Sequence, residues 1–476
     1  MDRRTKIIAT LGPASHDPKT IRQLLTAGVN AIRLNLSHGT REDHRQLIGT
    51  VRQIAVSLGQ HVPIMLDLMG PRYRLGTLPG GPRTVRRRQV VVLAKDSATA
   101  DIPIGNSKLL RYLKVGERVL IGDGMVELKV LRHGTHQVEA RVVTGGTVST
   151  RKGINLPDSN LPFQISAKDR GDIQMAVEEG VDYLAASYIG SAKDVEAIRR
   201  QVQGAGGDLP LLAKLERARA MNHIDEIVDA ADAVMVARGD LGVEVPLYRV
   251  PTLQKEIIRS GRHFGKPVVV ATQMLDSMIK HPRPTRAEVS DVANTVFDGT
   301  DALLLTGETA AGDYPLQTVR TMVKIIEEAE SFALGQSANW RYKLLIEADS
   351  GGFPEVADAV ARAGVFTAQN LGVQRLVAFS RSGFTARLIS RYRPSVPVLV
   401  FTPEERVARQ MQLLWGVDPV PVTDRPDTEE EVVAALEGRL KSAHLVKPGE
   451  RLVILMGSRV GDRRPTNMMR IHQVGR

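Results

Sequence analysis

The sequence predicts an α/β protein: a (β/α)8 barrel, interrupted after its third strand by a small β-barrel lid and followed by a separate C-terminal α/β domain. Three observations predict it. Apolar runs of strand length alternate with amphipathic stretches eight times. Alternation of this kind implies a parallel sheet, and the eight units span roughly 240 residues against the usual size of about 250. Between Gly70 and Pro162 the rhythm stops, and short alternating runs rich in Gly, Pro, Val and Thr read as an all-β module. From about Pro354 a further set of apolar runs begins. The expected segments are residues 1–69 and 163–340 for the barrel, 70–162 for the lid and 350–476 for the last domain.

Taken in order, KIIATLG (Lys6–Gly12) is the first strand, and a helix from Asp17 sets Ile21, Leu24 and Leu25 on its inner face. AIRLNLS (Ala31–Ser37) is the second strand, a helix runs from Arg41 to Leu58, and VPIMLDL (Val62–Leu68) is the third strand. The lid contributes RQVVVLA, ERVLIGDG and HQVEARVVTGG. A helix from Ala167 to Glu179, strand VDYLAAS (Val181–Ser187) and a helix near Ala192–Gln203 resume the alternation. PLLAKLE (Pro210–Glu216) and AVMVARGD (Ala233–Asp240) are the fifth and sixth strands, with Ile224, Ile227 and Val228 on one helix face between them. A helix near Leu253–Gly265, strand PVVVAT (Pro267–Thr272), a helix from Thr285 to Phe297, strand ALLLTGE (Ala302–Glu308) and a helix from Leu316 to Phe332 complete the barrel. The last block reads as an open sheet of RLVAFS (Arg375–Ser380), PVLVFT (Pro397–Thr402), DPVPV (Asp418–Val422), ERLVILMG (Glu450–Gly457) and NMMRIHQV (Asn467–Val474).

Composition narrows the function classes. The 476 residues carry 64 Lys and Arg against 53 Asp and Glu, a net +11 that favours anionic partners. Aromatic residues are only 4%, too few for the stacking platforms of single-stranded nucleic-acid binding. The arginines at 83, 86, 87 and 88 have no aromatic residues among them and read as a solvated lid face, so no nucleic-acid partner is expected. There is no cysteine, which excludes disulfides, thiolate catalysis and Cys-based metal sites. No signal peptide is read at the start, and no apolar run approaches about 18 residues, so no membrane partner and a cytoplasmic location are expected.

A parallel strand is buried on both faces and reads as an unbroken apolar run, so charge at its end is placed there. In a (β/α)8 barrel, polar groups at the carboxyl ends of strands read as catalytic. Arg33, Asn35, Ser37 and His38 close the second run, Asp67 the third and Ser187 the fourth. Lys214 and Glu216 close the fifth, Arg238 and Asp240 the sixth, Thr272 the seventh, and Thr306 and Glu308 the eighth. Lys214 and Glu216, two apart in a strand, point to the same side. Glu216 and Asp240 are oxygen ligands of the kind that hold Mg²⁺ together with substrate oxygens. Arg33 adds a fixed cation for phosphate. Gly239 and Asp240 offer backbone N–H groups at a helix start for a carboxylate. The set suits a small acid carrying phosphate, with a metal.

These residues carry a resemblance. TKIIATLGPAS, AIRLNLSHG, KLE, VMVARGDLGVEVP, ATQMLDSMIKHPRPTRAEVSDVAN and TGETAAGDYP, with KGINLP in the insert and SGFTARLISRYRP in the last domain, resemble the pyruvate kinase family in order along essentially the whole chain. The resemblance implies Mg²⁺-dependent (or Mn²⁺-dependent) phosphoryl transfer from phosphoenolpyruvate to ADP, giving pyruvate and ATP. It implies that Lys214 stabilises the phosphoryl group in flight and that Arg33 contacts it. Glu216 and Asp240 would hold the metal, Gly239 would meet the substrate carboxylate, and Thr272 would lie in the protonation relay. His38, Arg74 and Lys152 match nucleotide-side positions, Lys152 depending on lid closure. The resemblance also implies a homotetramer, and a sugar-phosphate or nucleotide effector at Ser380, Ser382 and Thr385. Capping of the following helix by Ser382 is the plainer account of that turn.

Departures from the family pattern are also expectations. Where the family commonly has D-T-K-G-P-E, this chain has Asp67-Leu68-Met69-Gly70-Pro71-Arg72. In K⁺-requiring members, Asn35, Ser37, Asp67 and a threonine at the Leu68 position surround the cation. Here the threonine is lost and Arg72 replaces the glutamate, so K⁺ is expected not to be required, with the Arg72 guanidinium as its substitute. Gly122 stands for a lid acid, Arg217 for an asparagine and Gly190 for an arginine. Two other classes stay open: a Mg²⁺-dependent lyase or aldolase acting on pyruvate enolate, against which the lid argues, and a catalytically weak basic binding protein.

Overall fold

The computed structural model describes residues 3–95, 99–335, 355–423, 426, 428–457 and 466–475. Parallel strands β1 (Lys6–Thr10), β2 (Ala31–Asn35), β3 (Ile64–Asp67), β4 (Tyr183–Ala186), β5 (Leu211–Leu215), β6 (Ala233–Ala237), β7 (Val268–Ala271) and β8 (Ala302–Leu305) close into a barrel in chain order. Lys6 of β1 pairs with Ala302 of β8 at the seam. Because side chains alternate along a strand, Ile8, Met65, Ala185, Leu212, Met235, Val269 and Leu304 fill the interior. Their neighbours, among them Ile7, Leu66, Leu184, Val234 and Leu303, face the surrounding helices.

The helices begin where side chains satisfy their free N–H groups. Asp17 caps Pro18–Thr26 by accepting from the Thr20 N–H. Thr40 with Asp43, Ser166 with Asp169 and Thr285 with Glu288 form reciprocal capping boxes. Two strands stop earlier than their apolar runs. β6 ends at Ala237, and Arg238 opens the short helix Arg238–Glu244. β8 ends at Leu305, and Gly307–Ala310 is helical. In both places side-chain oxygens take over from the ladder. The Gly239 N–H donates to Thr272 Oγ1 and the Thr306 N–H to Glu308.

Between β3 and the helix Ala167–Glu178, strands from Tyr73–Arg74 to Gly153–Asn155 form a seven-stranded sheet and a two-stranded ribbon. They enclose a core of their own that includes Val91, Leu93, Val119, Leu128 and Val138. In the C-terminal sheet, Leu376–Phe379, Val398–Thr402, Val417–Pro421 and Arg451–Met456 are parallel, and Met468–Gln473 is antiparallel at one edge.

The C-terminal block closes the amino end of the barrel. Leu413 is fully buried among the interior side chains, and Tyr183 Oη donates to the Gln410 carbonyl at 3.0 Å. Lys6 Nζ donates to the Val417 carbonyl at 2.8 Å, and Arg393 pairs with Asp301 at 2.7 Å. Lys6 and Asp301 stand where β1 and β8 begin, so this contact lies opposite the polar strand ends. Among the described residues no helix is long and apolar enough to cross a membrane.

Candidate active site

At the carboxyl ends of the strands the polar side chains converge on Asp67. This carboxylate is 1% exposed. Its Oδ2 accepts from Arg33 Nε at 2.8 Å and lies 2.7 Å from Arg33 Nη2. Its Oδ1 faces Lys214 Nζ and Ser187 Oγ, each at 3.4 Å. Burial alone would push the Asp67 carboxyl up, but Lys214 and then Arg33 outweigh it and hold it below its ordinary value. Arg33 also donates to Thr10 Oγ1 at 3.1 Å. Thr10 ends β1, so the one strand with no polar group in the expected set supplies one after all.

Lys214 reaches the same centre from β5. Its Nζ donates to Ser187 Oγ at 2.8 Å and lies 3.4 Å from Glu216 Oε2. Burial works against its charge, yet Asp67 and Glu216 raise its pKa above the ordinary lysine value. Glu216 is 1% exposed. Its Oε1 accepts the Tyr188 N–H at 2.7 Å, while Oε2 is buried without a hydrogen-bond partner. Burial pushes Glu216 up to about 7, with Lys214 opposing and Asp240 adding to the rise. A buried carboxylate oxygen that accepts no hydrogen bond, beside a second carboxylate, fits a hard divalent cation. Among the described residues no group of three or more Asp, Glu, His or Cys side chains could hold a metal. Any ion here would therefore take its remaining oxygens from substrate and water.

The other wall is made by strained backbone. Thr272 has φ +71° and Gln273 φ +54°, and across the mouth Tyr188 has φ +62°. A β-branched residue at positive φ is an outlier that the surroundings must hold in place. Here Arg238 does so: it donates to the Thr272 carbonyl at 3.0 Å and pairs with Asp291 at 2.8 Å. Arg238 is thus turned away from the mouth. Glu308 likewise serves the backbone, accepting from the Leu275 and Thr306 N–H groups. Thr272 Oγ1 accepts the Gly239 N–H at 2.7 Å, so one donor expected for a substrate carboxylate is already engaged.

The remaining expected residues lie around this centre. His38 is exposed beyond β2, its carbonyl held by the His44 ring at 2.8 Å. Arg74, on a lid strand, and Lys152, just before the strand that pairs with it, are exposed, with Arg74 donating to the Arg151 carbonyl at 3.1 Å. A cleft of about 720 Å³ beside them is lined by Met69, Arg72, Arg74, Asn106, Arg151 and Ser166. Asn35 Oδ1 accepts the Ser37 N–H at 3.1 Å, and Leu68 is 3% exposed within the barrel core. Arg72 is not among the ion pairs of Asp67. Its partner is Asp240 at 3.9 Å, and the Tyr188 hydroxyl lies beside it. Arg217 is buried and reaches within 4.0 Å of the place a Cβ on Gly190 would take, so a cation is supplied there from 217 rather than 190. In the last domain Ser380 and Thr385 are buried, Ser382 is exposed, and Thr385 Oγ1 is 2.7 Å from Thr466 Oγ1. The helix Phe384–Arg391 starts at Gly383 in the left-handed region with no side-chain cap, so Ser382 does not cap it.

Comparison with known families matches residues 2–319 to the pyruvate kinase barrel domain and residues 358–472 to the pyruvate kinase alpha/beta domain. The chain belongs to the pyruvate kinase family. Pyruvate kinases from three strains of Staphylococcus aureus are each 38% identical to it over 479 aligned residues, covering 99% of this chain and 81% of the relative. A crystal structure of a pyruvate kinase from Cryptosporidium parvum superposes with a TM-score of 0.91 at 32% identity, covering 99% of this chain and 96% of that one. The pyruvate kinase fold and its status as an enzyme therefore rest on both sequence and structure. Two residues at this site escaped sequence reasoning: Thr10 and Tyr188. Thr10 and Tyr188 stand at or next to the carboxyl end of a barrel strand, which is the signal that would have found them.

Proposed function

We propose that this site moves the phosphoryl group of phosphoenolpyruvate to ADP, yielding pyruvate and ATP, with Mg²⁺ or Mn²⁺ and without K⁺. The observation that carries the reading is the cluster of Asp67, Lys214 and Glu216, in which Lys214 is held cationic between two buried carboxylates and Glu216 Oε2 accepts no hydrogen bond among the described residues. Phosphoryl transfer needs positioning and charge rather than covalent help. Asp67 orients Arg33 and Lys214 so that both cations face the same space, where they bind the phosphoryl oxygens as the bond to the enol oxygen breaks and the bond to the ADP oxygen forms. Glu216 and Asp240 would hold the divalent ion, which when bound neutralises phosphoryl charge and developing enolate charge. Thr272 Oγ1 stands on the opposite wall, where its hydroxyl would belong to a relay that carries a proton from solvent to the enolate carbon, regaining from solvent the proton it passes on. Gly239, tied to Thr272, brings the backbone of the helix Arg238–Glu244 against the substrate carboxylate. His38, Arg74 and Lys152 meet the nucleotide phosphates once the lid is closed.

Independence from K⁺ rests on the same cluster. Asp67 already faces two cations, Leu68 has no side-chain oxygen to offer, and Asn35 Oδ1 is engaged by the Ser37 N–H. The Arg72 guanidinium, 3.9 Å from Asp240, supplies the positive charge that K⁺ would otherwise give. A homotetramer in the cytoplasm with a sugar-phosphate or nucleotide effector at Ser380, Ser382 and Thr385 completes the reading. The test is pyruvate formation from phosphoenolpyruvate and ADP with Mg²⁺, in buffer with K⁺ and in buffer free of activating monovalent cations. Equal, substantial rates are expected. Activity only with K⁺ removes the K⁺-independent part of the reading, and no activity in either buffer, even with sugar phosphates added, removes the kinase itself.

A further inference from the structure

Glu244 is a buried carboxylate that the chemistry above does not use. It is 4% exposed and ends the short helix that begins with Arg238, Gly239 and Asp240. Its Oε1 accepts from Asn155 Nδ2 at 2.8 Å, and its Oε2 has only a long contact, 3.5 Å, from the Ala218 N–H. Asn155 belongs to the lid. It ends the strand Gly153–Asn155, which pairs with Tyr73–Arg74 and follows directly on Lys152. One side-chain hydrogen bond thus joins the lid strand that follows Lys152 and pairs with the strand of Arg74 to the helix bearing the metal-side carboxylate. Among the described residues other side-chain ties cross the same gap, Arg219 with Asn160 and Arg72 with both Asp240 and the Tyr188 hydroxyl, but Arg219, Asn160 and Arg72 are exposed or half-exposed. A buried carboxylate that loses its donor is costly, whereas exposed ties contribute little.

We propose that Glu244 and Asn155 form the latch of the closed lid, making both positioning residues that couple the nucleotide-binding edge of the lid to the helix of Asp240. When the lid swings out, Asn155 leaves and Glu244 must be wetted. When it closes, the bond re-forms and brings Lys152 and Arg74 over the mouth. The metal side and the closed lid are thereby linked through about one turn of helix, from Asp240 to Glu244.

The proposal rests in part on the kinase reading, so its test has one arm that needs no turnover. The chain has no cysteine, so Arg132→Cys on the lid and Val56→Cys on the barrel give a single spin-label pair in the full-length protein. Asn155→Asp sets a second carboxylate against Glu244, and Glu244→Gln keeps an oxygen to accept the bond. The label distance distribution is expected to shift to longer separations in Asn155→Asp and to stay as in the parent in Glu244→Gln. In steady-state assays Asn155→Asp is expected to raise the KM for ADP about tenfold or more while the KM for phosphoenolpyruvate moves less than about threefold. Glu244→Gln is expected to keep both KM values near the parent. An unchanged distance distribution in a folded Asn155→Asp protein overturns the latch whatever the activity. A longer distance with equal loss for both substrates overturns its assignment to the nucleotide side.

Discussion

Replacing Asp67 by Asn is the sharpest test of the cluster. The two carboxylate oxygens are divided between two cations, Oδ2 to Arg33 at 2.7–2.8 Å and Oδ1 to Lys214 at 3.4 Å. An asparagine has one oxygen. Whichever way its amide is turned, an NH₂ group faces a guanidinium or an ammonium, donor against donor. Removing one partner of a buried ion pair costs about 3–5 kcal/mol, and each 1.4 kcal/mol is about a factor of ten. If Arg33 and Lys214 are both displaced in the transition state, kcat/KM for phosphoenolpyruvate should fall by about two to three decades. The KM for ADP should change by less than about threefold, because the lid cations are elsewhere. A second readout is acid stability. Asp67 is held below its unfolded value of 3.8, so its ionised form stabilises the fold above that pH and the contribution is lost as pH falls through the folded value. The stability gap between parent and variant, clear at pH 7 in denaturant titrations, should therefore begin to narrow as pH falls below the unfolded value of 3.8 and close only below the lower folded value. A loss in kcat/KM under fivefold, or a gap that persists at low pH, refutes the assignment of Asp67 as the organiser.

Thr272→Gly separates strain from chemistry. Glycine accepts φ +71° without penalty, so thermal stability should hold or rise within the 1–3 kcal/mol such strain stores, while kcat falls tenfold or more for want of Oγ1; a parallel loss of stability and activity would count against it. Glu216→Gln tests the metal reading by calorimetric melting without substrate. The parent should gain about 2.7 kcal/mol at Mg²⁺ a hundredfold above its dissociation constant, and the variant should gain nothing. Because burial already pushes this carboxyl toward neutrality, the metal-free variant should melt no lower than the parent, and an unaltered Mg²⁺ shift would remove Glu216 from the metal site.

Much of this site was legible in the chain. Lys214, Glu216, Asp240 and Thr272 follow apolar runs whose length and lack of alternation mark strands buried on both faces, and in such runs a polar end is conspicuous. Helix starts were legible too, because a capping box is written in four consecutive residues, as at Thr40 and Asp43 or Thr285 and Glu288. Arg238 and Glu308 were equally conspicuous and turned out to hold backbone, since a charged residue after a strand looks the same whether it faces the mouth or the loop behind it.

What the sequence by itself determined is the order of buried strands and amphipathic helices, the interruption by an all-β insert, and the polar ends that a parallel barrel brings to one rim. These follow from local periodicity, which a chain records residue by residue. Only the tertiary structure decided that Asp67 divides its oxygens between Arg33 and Lys214, and that Arg72 stands beside Asp240. It alone decided that Tyr188 and Thr272 stand at positive φ, that Leu413 plugs the barrel from another domain, and that Asn155 meets Glu244. Each of these depends on the closure of eight strands and on where lid and C-terminal sheet come to rest, and contacts between distant segments leave no period in the sequence to read.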